Sequence, residues 1–326
     1  MKILAIRFAR LGDVILLLPA LSSLKEAFPG SQLTFLTGHR CAPIAELCPA
    51  IDEVVAVDRV AMRDGPLWGA VGEMARLVRN IRERKFDLVV DFHSFRETNL
   101  LAWFSGAPVR IGMKRHGAPY LGFCFNRPPV LEDKSVHVAE MFMKVAAGVP
   151  SPALRAPAPG GRGLFIPDFV TSAEPKLALY VDAPVSERIW PPERFAQVAD
   201  FAMEKLHAVV HVISGKAGAD LAIRVQKASR YPNRLSISTD LTLRQLAEAI
   251  ASAQLLISND TGPMHLGPAL GVRTLGLFSV GYPEHFRPIG PNGRFLRANP
   301  IDKIEVKEVI EALEEMWTTA GRDLQR

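Results

Sequence analysis

The chain has 326 residues, of which 48% are apolar and 22% charged, and this composition is typical of a folded globular protein of about two domains. Its apolar runs are all shorter than the ~20 residues of a membrane-spanning helix, which argues against such a span. The net charge of +5 comes without aromatic platforms or recognition motifs, so we predict no nucleic-acid partner.

The amino terminus and the cysteines predict a cytoplasmic location. Lys2 and Arg7, ahead of the apolar run 14–20, resemble a signal peptide, but Arg10 and Asp13 adjoin a run that is short for one. The three cysteines are odd in number and lack metal-ligand spacing. They favour a reducing compartment and predict no metal site.

Positive charge is concentrated in the first half of the chain. Residues 1–150 contain 19 Lys and Arg against 15 Asp and Glu, an excess of +4, whereas the remainder contains 20 against 19. Two interpretations stay open. The charge is either that of an ordinary solvated surface, or it attracts an anionic acceptor and the surface of the inner membrane.

The first half alternates predicted strands with predicted helices. Apolar residues follow a helical spacing from Asp13 to Phe28, and Pro29-Gly30 ends that run. The predicted strands are 2–8, 33–36, 54–57, 88–91 and 109–112, and the predicted helices are 13–28, 43–47, 67–84, 97–104 and 135–147. Strands that alternate with helices predict a parallel sheet covered on both faces.

Proline and glycine are dense between residues 150 and 175, and the same alternation then resumes. The predicted strands are 177–181, 209–213, 255–257 and 274–278, and the predicted helices are 192–206, 217–229, 243–251, 263–270 and 305–318. We therefore predict an α/β protein with two Rossmann-like domains, 1–155 and 176–326, joined by a linker at 156–175 and facing across a cleft. The last helix could also pack back on the first domain.

Open parallel sheets bind ligands beside the carboxyl ends of their strands, so the loops there hold the candidate sites. The strand at 255–257 leads into Asp260-Thr261-Gly262 and a predicted helix, whose first turn suits an anion. This stretch is either a phosphate-binding turn or a simple helix cap. No G-x-G-x-x-G follows a strand and Gly215-Lys216 lacks the rest of a P-loop, so neither nucleotide motif is present.

Short motifs in a fixed order carry a resemblance to a known family. They are Leu11-Gly12-Asp13-Val14, Pro19-Ala20-Leu21, Phe28-Pro29-Gly30, Ala107-Pro108-Val109-Arg110-Ile111-Gly112, Trp190-Pro191-Pro192-Glu193-Arg194-Phe195, Asp260-Thr261-Gly262-Pro263-Met264-His265-Leu266, Ala269-Leu270-Gly271-Val272 and Phe286-Arg287-Pro288-Ile289-Gly290. Nearly end to end, the chain resembles glycosyltransferase family 9, the ADP-heptose:lipopolysaccharide heptosyltransferases. The resemblance implies a GT-B fold with an acceptor-binding first domain and a nucleotide-sugar-binding second domain, acting without a cofactor.

The resemblance also implies a role for each candidate residue. Asp13 matches the proposed general base, and Arg188 would supply a cation to the departing diphosphate. The implied donor-binding residues are Asp260, Thr261, Gly262, His265, Ser186 and Asp220, and the implied acceptor-binding residues are Arg10, Gly12, His93 and Arg96. From the residues alone, Asp13 could equally be a helix N-cap, and Asp91, His93 and Arg96 could be structural.

The chain departs from the family pattern at the donor side. Arg188 stands where members commonly have lysine, and the two cations bind phosphate differently. Ala183 and Pro184 stand where hydroxyl residues are often found, and Asp220 is one methylene shorter than the family's glutamate. A carboxylate at a helix start is moreover a weak base, which suits only a late proton transfer.

The implied function is inverting transfer of a heptose from ADP-heptose to an anionic lipopolysaccharide inner-core acceptor. The alternatives are a GT-B transferase for another nucleotide sugar, and a sugar-nucleotide epimerase or hydrolase. An aspartic protease would need a second Asp-Thr-Gly in a β-rich fold, and a two-lobed solute-binding protein would need export.

Overall fold

The computed structural model describes residues 1–58, 67–150, 163–167, 169 and 174–323, with the backbone alone at 67–70 and 319–323. The chain divides into two compact units, Met1–Pro159 and Gly160–Arg326. The predicted linker, residues 156–175, lies mostly outside the described residues.

The first unit contains one six-stranded sheet whose neighbouring strands are parallel. Its strands are β1 (Lys2–Arg7), β2 (Gln32–Gly38), β3 (Glu53–Val57), β4 (Leu88–Asp91), β5 (Val109–Lys114) and β6 (Val130–Leu131), and its helices are α1 (Leu11–Ala27), α2 (Ala42–Ala45), α3 (Leu67–Glu83), α4 (Arg96–Phe104) and α5 (Val138–Ala147). In space the strands follow the order β3-β2-β1-β4-β5-β6. This is the strand order of a doubly wound Rossmann sheet.

Strand β1 and helix α1 form the centre of this unit. The strand is buried along nearly its whole length, because a central parallel strand is covered on both faces. Helix α1 begins after Arg10, which has extended dihedrals, and ends shortly before Gly30, where φ is 75°. A positive φ is accessible to glycine without steric cost, so Gly30 allows the chain to turn away from the helix.

The second unit repeats the same architecture. Its strands are β7 (Lys176–Tyr180), β8 (Val209–Ser214), β9 (Leu235–Thr239), β10 (Leu255–Asn259), β11 (Arg273–Phe278) and β12 (Gly293–Arg297), and its helices are α6 (Pro192–Lys205), α7 (Ala219–Ala228), α8 (Leu243–Ala251), α9 (Leu266–Ala269), α10 (Pro283–Phe286) and α11 (Val306–Asp323). The order β12-β11-β10-β7-β8-β9 is that of the first sheet read from its other edge, and all neighbouring strands are parallel. The predicted α/β class with two Rossmann-like sheets is confirmed.

Three strands were absent from the sequence prediction, namely β6, β9 and β12. Strands β6, β9 and β12 all lie at the edges of their sheets. An edge strand is covered less completely than a central one, so it needs fewer apolar residues and gives a weaker periodic signal. The polar start of β12 at Gly293-Arg294 shows this weakness.

Two predicted helices differ from the structure in detail. The helix predicted at 263–270 is divided into a 3₁₀ turn, Gly262–His265, and the single α turn of α9. The terminal helix α11 buries Val309 and Leu313 in the core of the second unit, beside Trp190. These side chains of α11 thus pack within their own unit, and the packing of this helix on the first domain stays a prediction.

The strand order creates one special position in each sheet. From β1 the chain moves outward through β2 and β3, and it then returns to the other side of β1 with β4. The loops after β1 and β4 consequently leave the sheet in opposite directions, and a crevice opens at their carboxyl ends. Strands β7 and β10 form the equivalent pair in the second sheet.

Gly267 is a packing constraint below the second crevice. A Cβ atom at this position would collide with the side chain of Thr274 and would approach Leu256, whereas a Cβ at Gly38 would meet nothing within 4 Å. We expect Gly267→Ala to lower the free energy of unfolding by about 1–3 kcal/mol through overpacking, measured by urea denaturation. Gly38→Ala is the matched control and should be close to neutral; equal effects would contradict the packing argument.

Candidate active site

Asp13 lies in the first turn of α1, immediately after β1, and it is not the helix N-cap. That position belongs to Arg10, which makes no side-chain capping bond. The Asp13 Oδ1 atom instead accepts a hydrogen bond from Arg7 Nη2 at 2.9 Å. The Arg7 side chain is 6% exposed and that of Asp13 is 28% exposed. The pair therefore presents a carboxylate to solvent from a buried cationic support.

Arg7 is fixed from three directions. Its Nη1 donates to the carbonyl oxygen of Phe92 at 2.7 Å, and its guanidinium carbon lies 4.7 Å from the ring centre of Phe142. Burial lowers the pKa of Arg7, and the charge of Asp13 opposes that effect. Our sequence prediction did not assign Arg7 to the site. A cation at the last position of the central strand, six residues before Asp13, was the available signal.

The loop after β4 lies beside the loop after β1 because the two strands are neighbours. Asp91 is fully buried, and its carboxylate accepts hydrogen bonds from the backbone nitrogens of His93 and Ser94 and from the amide of Asn99, each at 2.9 Å. Burial raises the pKa of Asp91, and these hydrogen bonds oppose the rise. Ser94 has a φ of 60°, a strained value for serine that this network holds in place. Asp91 therefore shapes the loop.

The predicted acceptor-binding residues share the carboxyl edge of the first sheet but differ in exposure. Gly12 is buried in α1, and His93 is buried with its ring between those of Phe8 and Phe95. Arg10 and Arg96 are exposed at the starts of α1 and α4. The side chains of the two arginines are thus open to solvent, whereas His93 and Gly12 are buried beneath this surface.

In the second unit, Arg188 and Asp260 form an ion pair at the equivalent crevice. Arg188 Nη1 lies 3.2 Å from Asp260 Oδ2, with Arg188 following β7 and Asp260 following β10. Burial raises the pKa of Asp260, and the nearby charge of Arg188 opposes the rise. A candidate cation and a candidate sugar-binding carboxylate are therefore in contact.

Asn259 fastens the loop that carries Arg188. Its side-chain oxygen accepts from the backbone nitrogen of Trp190 at 3.1 Å, and its nitrogen donates to the Val181 carbonyl at 2.9 Å. The Ser279 hydroxyl adds a bond to the carbonyl of Glu187. A polar residue at the end of a buried strand was the only signal for Asn259, and Ser279 had none.

The stretch after Asp260 is compact. Thr261 is extended and buried, and the 3₁₀ turn Gly262–His265 follows it, with His265 also buried. Gly281, from the loop after β11, lies against the Asp260 carboxylate so closely that a Cβ there would collide with it. Asp260, Thr261, Gly262 and His265 thus occupy one edge of the second sheet, next to Arg188.

Ser186 and Asp220 stand apart from that group. The Ser186 hydroxyl donates to the Glu187 carboxylate at 3.1 Å, and Asp220 is exposed in the first turn of α7. Asp182, in the loop after β7, instead contacts the loop after β8. Its carboxylate lies so close to Gly218 that a Cβ atom there would collide with it. Burial raises the pKa of Asp182. Sequence reasoning assigned no role to Asp182.

Most of the chain matches the pattern of a known family. A family model described as glycosyltransferase family 9 (heptosyltransferase) matches residues 74–313. The chain belongs to glycosyltransferase family 9. It is 28% identical to lipopolysaccharide heptosyltransferase 1 of Pseudomonas aeruginosa over 87% of this chain and 80% of that protein. With lipopolysaccharide heptosyltransferase 2 of Salmonella typhimurium it shares 24% identity over 91% of this chain and 88% of the relative.

Solved structures show the same fold. The Escherichia coli heptosyltransferase WaaC with ADP superposes with a TM-score of 0.82 at 20% identity, covering 97% of this chain and 100% of that one. This family 9 glycosyltransferase therefore has the GT-B fold. No helix in the described part of the chain is long and apolar enough to cross a bilayer.

We predict that the buried Arg7 orients Asp13. Arg7→Met keeps an apolar stem but removes both guanidinium hydrogen bonds, and displacing a catalytic carboxylate by about 1 Å can lower kcat roughly 100-fold. The KM for the donor should change little, because Arg7 belongs to the first unit. Steady-state kinetics measure both. Arg7→Lys, which keeps the charge, should be intermediate, and a folded Arg7→Met variant with normal kcat would refute the role.

The buried carboxylate of Asp260 predicts a pH-dependent cost in stability. Because burial raises the pKa of Asp260, the folded state holds its proton to higher pH than the unfolded state, and stability falls as pH rises through that window. Asp260→Asn should therefore raise Tm at pH 7, and the gain should vanish near pH 3.8, the ordinary pKa of aspartate. Calorimetry across pH tests this, with the exposed Asp302→Asn as control; a gain that is independent of pH would contradict it.

Proposed function

We propose that this enzyme transfers a heptose from ADP-heptose to an acidic sugar of the lipopolysaccharide inner core, with inversion at the anomeric carbon. The observation that carries the proposal is the Arg7–Asp13 pair, a carboxylate held on a buried guanidinium at the carboxyl edge of the first sheet. The similarity to proteins named lipopolysaccharide heptosyltransferases over about nine-tenths of the chain supports this donor and acceptor.

The proposed reaction needs a proton acceptor on the nucleophile side. The acceptor hydroxyl oxygen forms a bond to the anomeric carbon of the donor, while the bond from that carbon to the diphosphate oxygen breaks. The hydroxyl proton passes to the carboxylate of Asp13. A weak base suffices if this transfer follows most of the leaving-group departure. We assign Arg10 and Arg96 to the anionic groups of the acceptor, with Gly12 and His93 shaping the surface beneath them.

The departing diphosphate needs positive charge and hydrogen-bond donors on the other side. We assign this role to Arg188, the backbone and hydroxyl of Thr261, the backbone of Gly262, and His265. An arriving diphosphate competes with Asp260 for the guanidinium of Arg188, which frees the Asp260 carboxylate to accept hydrogen bonds from sugar hydroxyls. Ser186 and Asp220 stay candidates for outer contacts to the donor, since both are exposed.

We further propose that the enzyme works in the cytoplasm. We also propose that it needs no cofactor, because the nucleotide sugar itself supplies the leaving group. Among the described residues, no group of three His, Cys, Asp or Glu side chains is placed to hold a metal ion.

The direct test is incubation with ADP-heptose and an acid-sugar lipid acceptor, followed by mass spectrometry of both products. We expect stoichiometric ADP and an acceptor heavier by one heptose, undiminished by EDTA. Transfer from another nucleotide sugar alone would reassign the donor. Consumption of ADP-heptose without a heavier acceptor would indicate an epimerase or hydrolase instead.

Two substitutions separate the proposed roles. Asp13→Asn should lower kcat by at least about 100-fold with donor affinity preserved, because it removes only the proton acceptor. Arg188→Ala should weaken donor binding and slow transfer together, since its charge acts on the diphosphate in both states. Arg224→Ala, which breaks an exposed ion pair to Glu193, is the matched control and should behave as the parent. A large loss of donor affinity in Asp13→Asn would count against its role.

A further inference from the structure

An exposed aromatic cluster lies on the first unit, away from the proposed site. Trp103 and Phe104 end helix α4, and Phe123 lies in a short 3₁₀ turn at Gly122–Cys124. Their exposed fractions are 44%, 42% and 61%. We call these three residues the aromatic patch. Exposed large aromatic side chains that adjoin one another mark an interaction surface more often than isolated ones do.

The patch is held in shape before any partner arrives. The rings of Trp103 and Phe123 meet edge to face with centres 5.6 Å apart, and the Arg110 guanidinium lies 5.4 Å from the Trp103 ring centre. Arg110 is itself fixed, because its Nε donates to the carbonyl of Cys124 at 2.8 Å. The aromatic rings and a cation thus form one surface.

The surroundings of the patch are basic. Arg82 of helix α3 donates to the Phe104 carbonyl at 3.4 Å, and the exposed Arg127 follows the 3₁₀ turn by three residues. Within the described residues, no carboxylate lies within ion-pair distance of Arg82, Arg110 or Arg127. Residues 101–150 contain six Lys and Arg against three Asp and Glu. An anionic partner therefore meets little repulsion here.

We propose that the aromatic patch docks this enzyme on an anionic lipid bilayer. Tryptophan and phenylalanine favour the boundary between headgroups and acyl chains, and arginines beside them contact lipid phosphates. A second copy of the chain fits this surface less well. Three side chains cover far less than the ~800 Å² per partner of a stable interface, and two arginine-rich patches would repel each other.

The position of the aromatic patch in the fold determines which edge of the first sheet would face the bilayer. Helix α4 runs back from the carboxyl end of β4 to the amino end of β5, so its last residues lie at the opposite edge of the sheet from Asp13. A six-residue strand spans about 20 Å. If this unit acts on a lipid-linked sugar, as the proposed function requires, the docked enzyme suits a sugar that stands well out from its acyl chains.

The test is co-sedimentation of the whole chain with phosphatidylcholine vesicles and with vesicles that also contain phosphatidylglycerol. We expect binding to the second kind only, weakened by high salt. Trp103→Ala/Phe123→Ala should weaken binding roughly tenfold or more, and Arg82→Gln/Arg127→Gln about fivefold for each arginine. Phe165→Ala is the matched control, since Phe165 in the second unit is likewise 61% exposed.

Equal binding to both kinds of vesicle, no binding to either, or an equal loss in Phe165→Ala would overturn the proposal. So would self-association that the patch substitutions abolish while vesicle binding persists. The arginine variant keeps the test valid if the aromatic variant fails to fold, as judged by circular dichroism. Transfer to a delipidated, soluble acceptor is measured without vesicles, and patch variants should leave it unchanged. A failure of docking is thereby distinguished from a failure of the proposed function.

Discussion

The structure depends on one constraint, which is the point in each parallel sheet where the order of the strands reverses. In each unit the chain adds two strands outward from the first, and then starts again on the other side of that first strand. A parallel connection must cross over through a helix, so every loop that leaves a strand end emerges at the same edge. Only the pair of strands at the reversal has loops that diverge, and only there can polar side chains from both loops surround a ligand. The fold therefore locates the candidate site before any residue is assigned to it.

Each reversal point contains one ion pair between a basic and an acidic side chain. In the first unit the cation is buried and the carboxylate is partly exposed, whereas in the second unit the carboxylate is buried and the cation is partly exposed. Burying a charge costs free energy, and the attraction to an oppositely charged partner offsets only part of that cost. The arrangement is understandable if the exposed member meets the substrate: Asp13 would meet the acceptor hydroxyl, and Arg188 the diphosphate. In that case the buried Arg7 holds Asp13 in place, and Asp260 holds Arg188 only until a diphosphate takes its place, as proposed above.

Irregular loops such as these need hydrogen bonds from inside the protein, and buried polar side chains supply them. Asn259 joins two backbone positions of the loop that carries Arg188, and Asp91 closes the loop after β4. Both are buried and satisfied by hydrogen bonds, which is how polar side chains stabilise irregular backbone in an interior. The aromatic patch lies at the other edge of the first sheet, so the proposed chemistry and the proposed membrane contact occupy separate surfaces of one unit.

The sequence by itself determined the class of fold and the identity of the central elements. Central parallel strands are buried on both faces, so β1, β4, β7 and β10 appear in the sequence as apolar runs. Helix α1 appears as apolar residues at helical spacing. The family motifs further placed Asp13, Arg188 and Asp260 after the carboxyl ends of strands. The edge strands β9 and β12 could not be predicted in this way, because their half-covered surfaces impose little apolar pattern. The split of the predicted helix at 263–270 did have a sequence signal in Gly267-Pro268, because a proline inside a helix lacks the backbone N–H that continues the hydrogen-bond pattern.

Only the tertiary structure decided what these side chains touch. From the sequence, Asp13 could be either a helix cap or a base. The structure excludes the cap, because α1 begins at Leu11 and the Asp13 carboxylate accepts a hydrogen bond from Arg7. Arg188 and Asp260 are 72 positions apart in sequence (260 − 188), and strand pairing between β7 and β10 brings them together. Local sequence patterns indicate, over a few residues, whether a segment is buried and which backbone conformation it prefers. Contacts between loops depend on strand order, which is set by the packing of the whole sheet.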